Sequence, residues 1–241
     1  MIQAVTQSPS LIFLLGGLGA GKTELSLNLS LHVAERYGKG RALLVDLDVV
    51  NPFFRVRKVR EEMENYGVHV VVPDARVING DLPSLPAEAW GAFQNEKCWV
   101  FNDVGGGILG LRLLGRLREE AEKRPGPVLF VVNPFRPGFN EINEMVDNFF
   151  ELQNFSALKA THIIANPHLS QETELKDFFN GLEKVKNLSE RVKIPILFAM
   201  VAEQLSEKIV QTGSPSKMDI EIFPIRRFWE TPWQFGLKKE E

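Results

Sequence analysis

Residues 16–23, Gly16-Gly17-Leu18-Gly19-Ala20-Gly21-Lys22-Thr23, read G-x-x-x-x-G-K-T and follow the apolar run Leu11-Ile12-Phe13-Leu14-Leu15. A buried strand that runs into such a loop and then into a helix is the setting of a phosphate-binding P-loop. Glycines let successive backbone N–H groups turn inward on phosphate oxygens, and the helix that follows adds the positive end of its dipole. The backbone of Gly17, Gly19, Ala20 and Gly21 therefore forms the expected cradle, with Glu24 beside it in the first helical turn. Lys22 can reach the β- and γ-phosphates, and the Thr23 hydroxyl can ligate Mg2+. The alternative is a glycine-rich turn that matches the pattern by chance.

Three aspartates stand at the ends of later apolar runs. Asp103 closes Trp99-Val100-Phe101-Asn102, the position from which a carboxylate holds Mg2+ through its water shell. Asp103-x-x-Gly106 also has the form of a switch in which a glycine N–H senses the γ-phosphate. Asp46 and Asp48 are two apart, so an extended chain turns both to one side. One suits Mg2+ near Thr23; the other, Asp48, lies further out and suits orientation of the attacking water. Solvated strand ends are the alternative for the pair. Asn133 and Asn166 each close a run and precede a proline. An amide both donates and accepts, so either could read a base, while Asn-Pro turn chemistry needs no ligand. Asn166 is the preferred base contact. Arg136 could stack, bind phosphate or face solvent. No N-K-x-D segment for guanine is present, which favours ATP.

These residues need a frame that brings strand ends together. The spacing predicts strands at 11–15, 42–46, 68–72, 98–103, 128–133, 162–166 and 194–201, with a short final strand at 220–223. Helices are expected at 23–37, 53–66, 86–95, 109–123, 140–153 and 171–188, and a loop over 76–86. Leu25, Leu27, Leu29, Leu31 and Val33 alternate with polar residues as a strand would. The P-loop lysine must nonetheless open a helix, and these residues are mostly good helix formers. Strands and helices in alternation imply right-handed crossovers: an α/β, three-layer sandwich of P-loop NTPase type with a largely parallel sheet and its ligand at the carboxyl ends.

The chain has 241 residues, a net charge of -3, 44% hydrophobic and 24% charged residues, which suits one nucleotide-binding domain over 1–241 with an aromatic-rich tail from residue 225. The charge argues against a large nucleic-acid surface. One cysteine and four histidines leave little for a zinc or iron–sulfur site, and the lone Cys98 fits a reducing cytoplasm. No apolar run approaches a membrane span and no signal peptide is expected; the charged residues 238–241 read as a frayed end.

Gly16–Thr23, Val45-Asp46-Leu47-Asp48 and Phe101-Asn102-Asp103-Val104-Gly105-Gly106 together resemble the MinD/ParA/nitrogenase iron-protein family of P-loop ATPases, including its cobyrinic-acid-synthase-like branch. The resemblance spans residues 10–201. It implies ATP- and Mg2+-dependent switching through a protein partner, often in a homodimer that sandwiches nucleotide. It assigns Lys22 as the P-loop lysine, Thr23 as the Mg2+ ligand, Asp48 as the water-orienting acid and Asp103 as the Walker B acid. Gly17 departs from it, standing where much of the family has a second lysine that acts across the dimer. Cys98 lies within a strand, which argues against an iron-protein-like reductase, and no MinD-like C-terminal membrane helix is evident. The expected activity is slow Mg-ATP hydrolysis. A kinase or amide-forming synthetase would need an acceptor pocket, for which His69, Asp74, Arg76 and Asp81 are the candidates; a metal-centre assembly factor is a third reading. Residues 53–58 are a candidate relay to a partner, and Phe228, Trp229, Trp233 and Phe235 are either packing over the sheet edge or a docking surface.

Overall fold

A computed structural model describes residues 2–48, 56–72, 85, 87–168, 173–211 and 219–228. Eight strands form one sheet: β1 (Leu11–Leu15), β2 (Ala42–Leu47), β3 (Val68–Val71), β4 (Trp99–Val104), β5 (Val128–Val132), β6 (His162–Ala165), β7 (Ile196–Ala202) and β8 (Ile222–Ile225). Their order is β3-β2-β4-β1-β5-β6-β7-β8, and each neighbouring pair is parallel. The expectation of a largely parallel sheet holds across all eight, including the short final strand, which lies two residues later than its predicted start.

The apolar character of both faces explains the layers. Leu11, Phe13 and Leu15 point to one side and join α4 (Ala87–Gln94), α5 (Ile108–Lys123), α6 (Ile142–Phe155), α7 (Leu175–Val192) and α8 (Glu203–Gln211). Ile12 and Leu14 point to the other and meet α1 (Ile2–Thr6), α2 (Lys22–Tyr37) and α3 (Val56–Asn65). Helices thus cover the sheet on both sides, as a parallel sheet requires. Each fully buried Leu or Phe in these layers is worth roughly 1.5–3 kcal/mol.

The alternating segment 25–33 is helical. Its strand-like pattern has a physical cause: α2 is buried on nearly every side, so the intervening polar residues are buried as well. Ser26 and Ser30 satisfy their hydroxyls on the carbonyls of Thr23 (2.8 Å) and Ser26 (2.6 Å). Asn28 grips the segment that follows β8: Nδ2 donates to Arg226 O (2.9 Å) and Oδ1 accepts from Arg226 N (2.7 Å). Two helices lie outside the predicted set. α1 has five residues, too few to show a period. α8 follows β7 with no breaking residue, although Glu203 in its first turn, Lys208 in its last and buried Leu205 and Ile209 mark it.

Residues 53–55 and 73–84, and the tail beyond Phe228, fall outside the described residues. With them go Asp74, Arg76, Asp81, Trp229, Trp233 and Phe235. Phe228 packs partly buried against the α2 face of the core. Cys98, expected within a strand, is buried just before β4, its Sγ 3.2 Å from Gly40 O. Among the described residues no helix is long and apolar enough to cross a membrane.

Candidate functional site

β1 is the central strand that delivers residues 16–21 to the carboxyl edge of the sheet, between β4 and β5. Gly16 has φ +141° and lies so close to β5 that a Cβ there would overlap the Val131 carbonyl oxygen. Gly21 has φ +101°, and a Cβ there would overlap the Asn166 side chain. Both positions therefore need glycine. Gly21 is also the N-cap of α2 and brings no side-chain hydrogen bond to cap it. Lys22, the first residue of α2, folds back over this loop. Its Nζ donates to Gly16 O (3.0 Å) and Gly17 O (2.9 Å), and the residue is only 7% exposed. A buried ammonium folded back over a glycine loop can hold an anion of high charge density.

The acids converge on the same edge through strand register. Asp46 of β2 is paired with Asp103 of β4, and Asp103 in turn with Leu14 of β1, two residues before Gly16. Asp46 and Asp103 are both buried. Asp46 Oδ1 accepts from the Asp48 N–H (2.9 Å), which turns the chain at the end of β2. Asp48 lies against the next loop: a Cβ on Gly105 would stand 2.7 Å from Asp48 Oδ1. A Cβ on Gly106 would stand 3.0 Å from the Cα of Leu18, which is itself 71% exposed at the tip of the P-loop segment. The segment that holds Gly105 and Gly106 thus lies against both of the others recognised in the sequence. Two carboxylates and the Thr23 hydroxyl make a hard-oxygen donor set. Among the described residues no group of three or more His, Cys, Asp or Glu side chains could hold a metal alone. That combination suits Mg2+, which keeps much of its water and is bound together with phosphate oxygens rather than in an all-protein cage.

The two asparagines separate. Asn133 Nδ2 donates to His168 O and its Oδ1 accepts from the Phe135 N–H, both at 3.0 Å, so both ends of the amide serve the turn. Asn166 Nδ2 donates to Ala20 O (2.7 Å), while its buried Oδ1 has no hydrogen-bond partner among the described residues. Because a carbonyl can only accept, the bond to Ala20 fixes which end of the amide is free. The Glu24 carboxylate accepts from the Phe228 N–H (3.2 Å), tying the C-terminal segment to the first turn of α2. His69 is exposed on β3 and bonded to Glu88 (3.0 Å). It pairs in register with Leu43, towards the start of β2, and so lies away from the strand ends.

No protein-family model matches the sequence, and no curated protein does. Solved structures do match. Cell division protein FtsY from Thermotoga maritima aligns with 81% of this chain and 62% of its own, at 20% identity and a TM-score of 0.53. FtsY from Mycoplasma mycoides covers 84% and 68%, at 16% and 0.55. Chloroplast FtsY from Physcomitrella patens covers 84% and 65%, at 17% and 0.55. The signal recognition particle receptor FtsY from Elizabethkingia anophelis, solved with GDP, covers 81% and 57%, at 18% and 0.54. The chain therefore spans 57–68% of the length of these proteins. This is a P-loop NTPase fold. The likeness is one of fold, a parallel sheet with alternating helices.

In this P-loop fold the turn after β5 also borders the loop, which spacing along the chain could not show. A Cβ on Gly17 would stand 3.0 Å from Phe139 Cε2, and Arg136 Nε donates to Gly19 O (3.1 Å) across 117 residues of sequence. His168 completes this side. Burial, then the guanidinium groups of Arg227 and Arg136, push its pKa down from 6.5 to about 4. Above pH 6.5 the imidazole is neutral in both folded and unfolded chains. Between 6.5 and about 4 the unfolded chain takes up a proton that the folded chain refuses, so this residue removes stability as the pH falls through that window. Replacing His168 with Gln should flatten the decline of the urea midpoint across the window relative to the parent; parallel pH profiles would show that His168 is not its source.

Proposed function

We propose that this protein binds ATP with Mg2+ and hydrolyses it slowly, as a nucleotide-dependent switch of the MinD/ParA/CobQ-CobB-like type that signals to a protein partner in the cytoplasm. The observation that carries the reading is the buried Lys22 ammonium, held on the Gly16 and Gly17 carbonyls at the edge where Asp46 and Asp103 stand in register. The backbone of Gly17 to Thr23 holds the phosphates. Lys22 stabilises charge on them, and Thr23, Asp46 and Asp103 would hold the metal. Mg2+ neutralises charge on the β- and γ-oxygens when bound. Asp48, next to Gly105, is placed to orient water. Loss of the γ-phosphate would be felt by Gly105 and Gly106, which touch Asp48 and Leu18, and that contact links hydrolysis to shape.

The base preference rests on Asn166. Its free Oδ1 is an acceptor in want of a donor. On the edge that carries N7, adenine offers an amino group where guanine offers a carbonyl oxygen. Adenine satisfies the buried acceptor; guanine places a second acceptor against it. The cost of that mismatch is on the order of 1–3 kcal/mol, although one FtsY of similar fold was solved with GDP. Calorimetric titration with slowly hydrolysed ATP and GTP analogues in the presence of Mg2+ tests both levels. ATP should bind at least about tenfold tighter than GTP. Equal or reversed affinities would sink the adenine reading, and no binding of either would sink the phosphate site itself.

A further inference from the structure

The turn after β5 carries a positive charge onto the P-loop, and it is built to hold that charge in place. The Arg136 N–H closes on Asn133 O (3.2 Å), and the Phe139 N–H on Arg136 O (2.9 Å). Asn133 accepts from the Phe135 N–H and is itself tied to His168 O, and Asn148 of α6 donates to Gly138 O (2.7 Å). Phe139 fills the space beside Gly17. From this turn Arg136 Nε reaches Gly19 O at 3.1 Å. That bond uses one of five guanidinium N–H donors. Among the described residues no carboxylate forms an ion pair with Arg136, although its side chain is exposed where one could.

Two cations are therefore fastened to carbonyls of one short loop: Lys22 to Gly16 and Gly17, Arg136 to Gly19. An anion of more than one charge seated on this loop would meet both cations at once.

We propose that Arg136 is a second cation for the phosphate chain, anchored through Nε on Gly19 and offering its remaining N–H groups to the phosphates cradled by residues 16–23. The proposal rests on the nucleotide reading above. It makes Arg136 a binding residue supplied by the same chain, so the site carries two fixed positive charges without help from a second copy. The competing role is a brace that only holds Gly19 in shape.

Arg136→Gln separates the two roles, because the amide can still donate to Gly19 O but carries no charge. Affinities of the parent and R136Q for AMP, ADP and a slowly hydrolysed ATP analogue should be measured by calorimetry at several salt concentrations, beside thermal unfolding without ligand. We expect the ATP analogue to bind about tenfold or more weakly to R136Q. The deficit should grow with phosphate number and the salt dependence should become shallower, with ligand-free stability unchanged. Arg136→Lys, a charge without the fork, should recover part of the affinity. Parent-like affinity in R136Q would overturn the proposal. So would a deficit independent of phosphate number, or one matched by a loss of ligand-free stability. A parent that binds no nucleotide would instead defeat the reading of the loop.

Discussion

Lys22→Ala loses nucleotide binding, with the dissociation constant for a Mg-bound ATP analogue rising roughly a hundredfold or more. The size follows from what is removed. The ammonium is buried and already held by two carbonyls, so no conformational search is needed to place it against phosphate. A hydrogen bond to a charged group is worth about 1.5–3 kcal/mol, and Lys22 can give more than one to the β- and γ-phosphates. Restoring charge as Lys22→Arg should not restore binding. A planar fork cannot occupy the seat of a compact ammonium between Gly16 O and Gly17 O without displacing the loop. Calorimetry on both variants, with circular dichroism to confirm the fold, checks this. An alanine variant that binds and hydrolyses ATP as the parent does would show that residues 16–23 are not the site.

Gly16→Ala should be strongly destabilising. The added Cβ overlaps the Val131 carbonyl oxygen of the neighbouring strand, and φ +141° is disfavoured for any L side chain. Unfavourable backbone alone costs about 1–3 kcal/mol, and the overlap is with backbone that cannot rotate aside. A loss of roughly 3–5 kcal/mol is expected, or a melting point lower by about 2–4 °C per kcal/mol for a chain of this size. Denaturant unfolding of the variant measures it. A change within experimental error would mean that β1 and β5 can separate at this level. The two substitutions divide cleanly: Lys22→Ala should spare stability and lose the ligand, whereas Gly16→Ala should lose stability first.

Local pattern revealed the strands and the loop because both depend on near neighbours: a central parallel strand must be apolar on both faces, and a P-loop needs its glycines and lysine at fixed offsets. It revealed α2 only through the motif that precedes it. The Leu25–Val33 alternation records burial on all sides, which no period within the segment can distinguish from a strand. Asn133 and Asn166 look alike in sequence, each closing a strand before a proline. They differ because only Asn166 reaches Ala20, 146 residues away, and only its Oδ1 is left without a partner. Phe139 beside Gly17, Arg136 on Gly19 and Arg226 in the grip of Asn28 were beyond reach for the same reason. Each is a contact between distant segments that share no motif. Asp46 and Asp103 were legible as acids at strand ends, but their pairing required the strand order β2-β4-β1.

That strand order has a kinetic meaning. β1 comes early in the chain, yet its two neighbours are Trp99–Val104 and Val128–Val132. Neither side of β1 can be closed by a local hairpin, so loop-closure entropy must be met before any long-range pairing rewards it, and folding should be slow for a chain of this size. The walls of the loop, Asp103 on one side and Val131 on the other, join only when those later strands dock. Residues 16–23 carry the local signature of the loop in their own sequence, ahead of the strands that wall it in. They acquire their shape late, and a tightly bound nucleotide is then a marker of a chain that has finished folding.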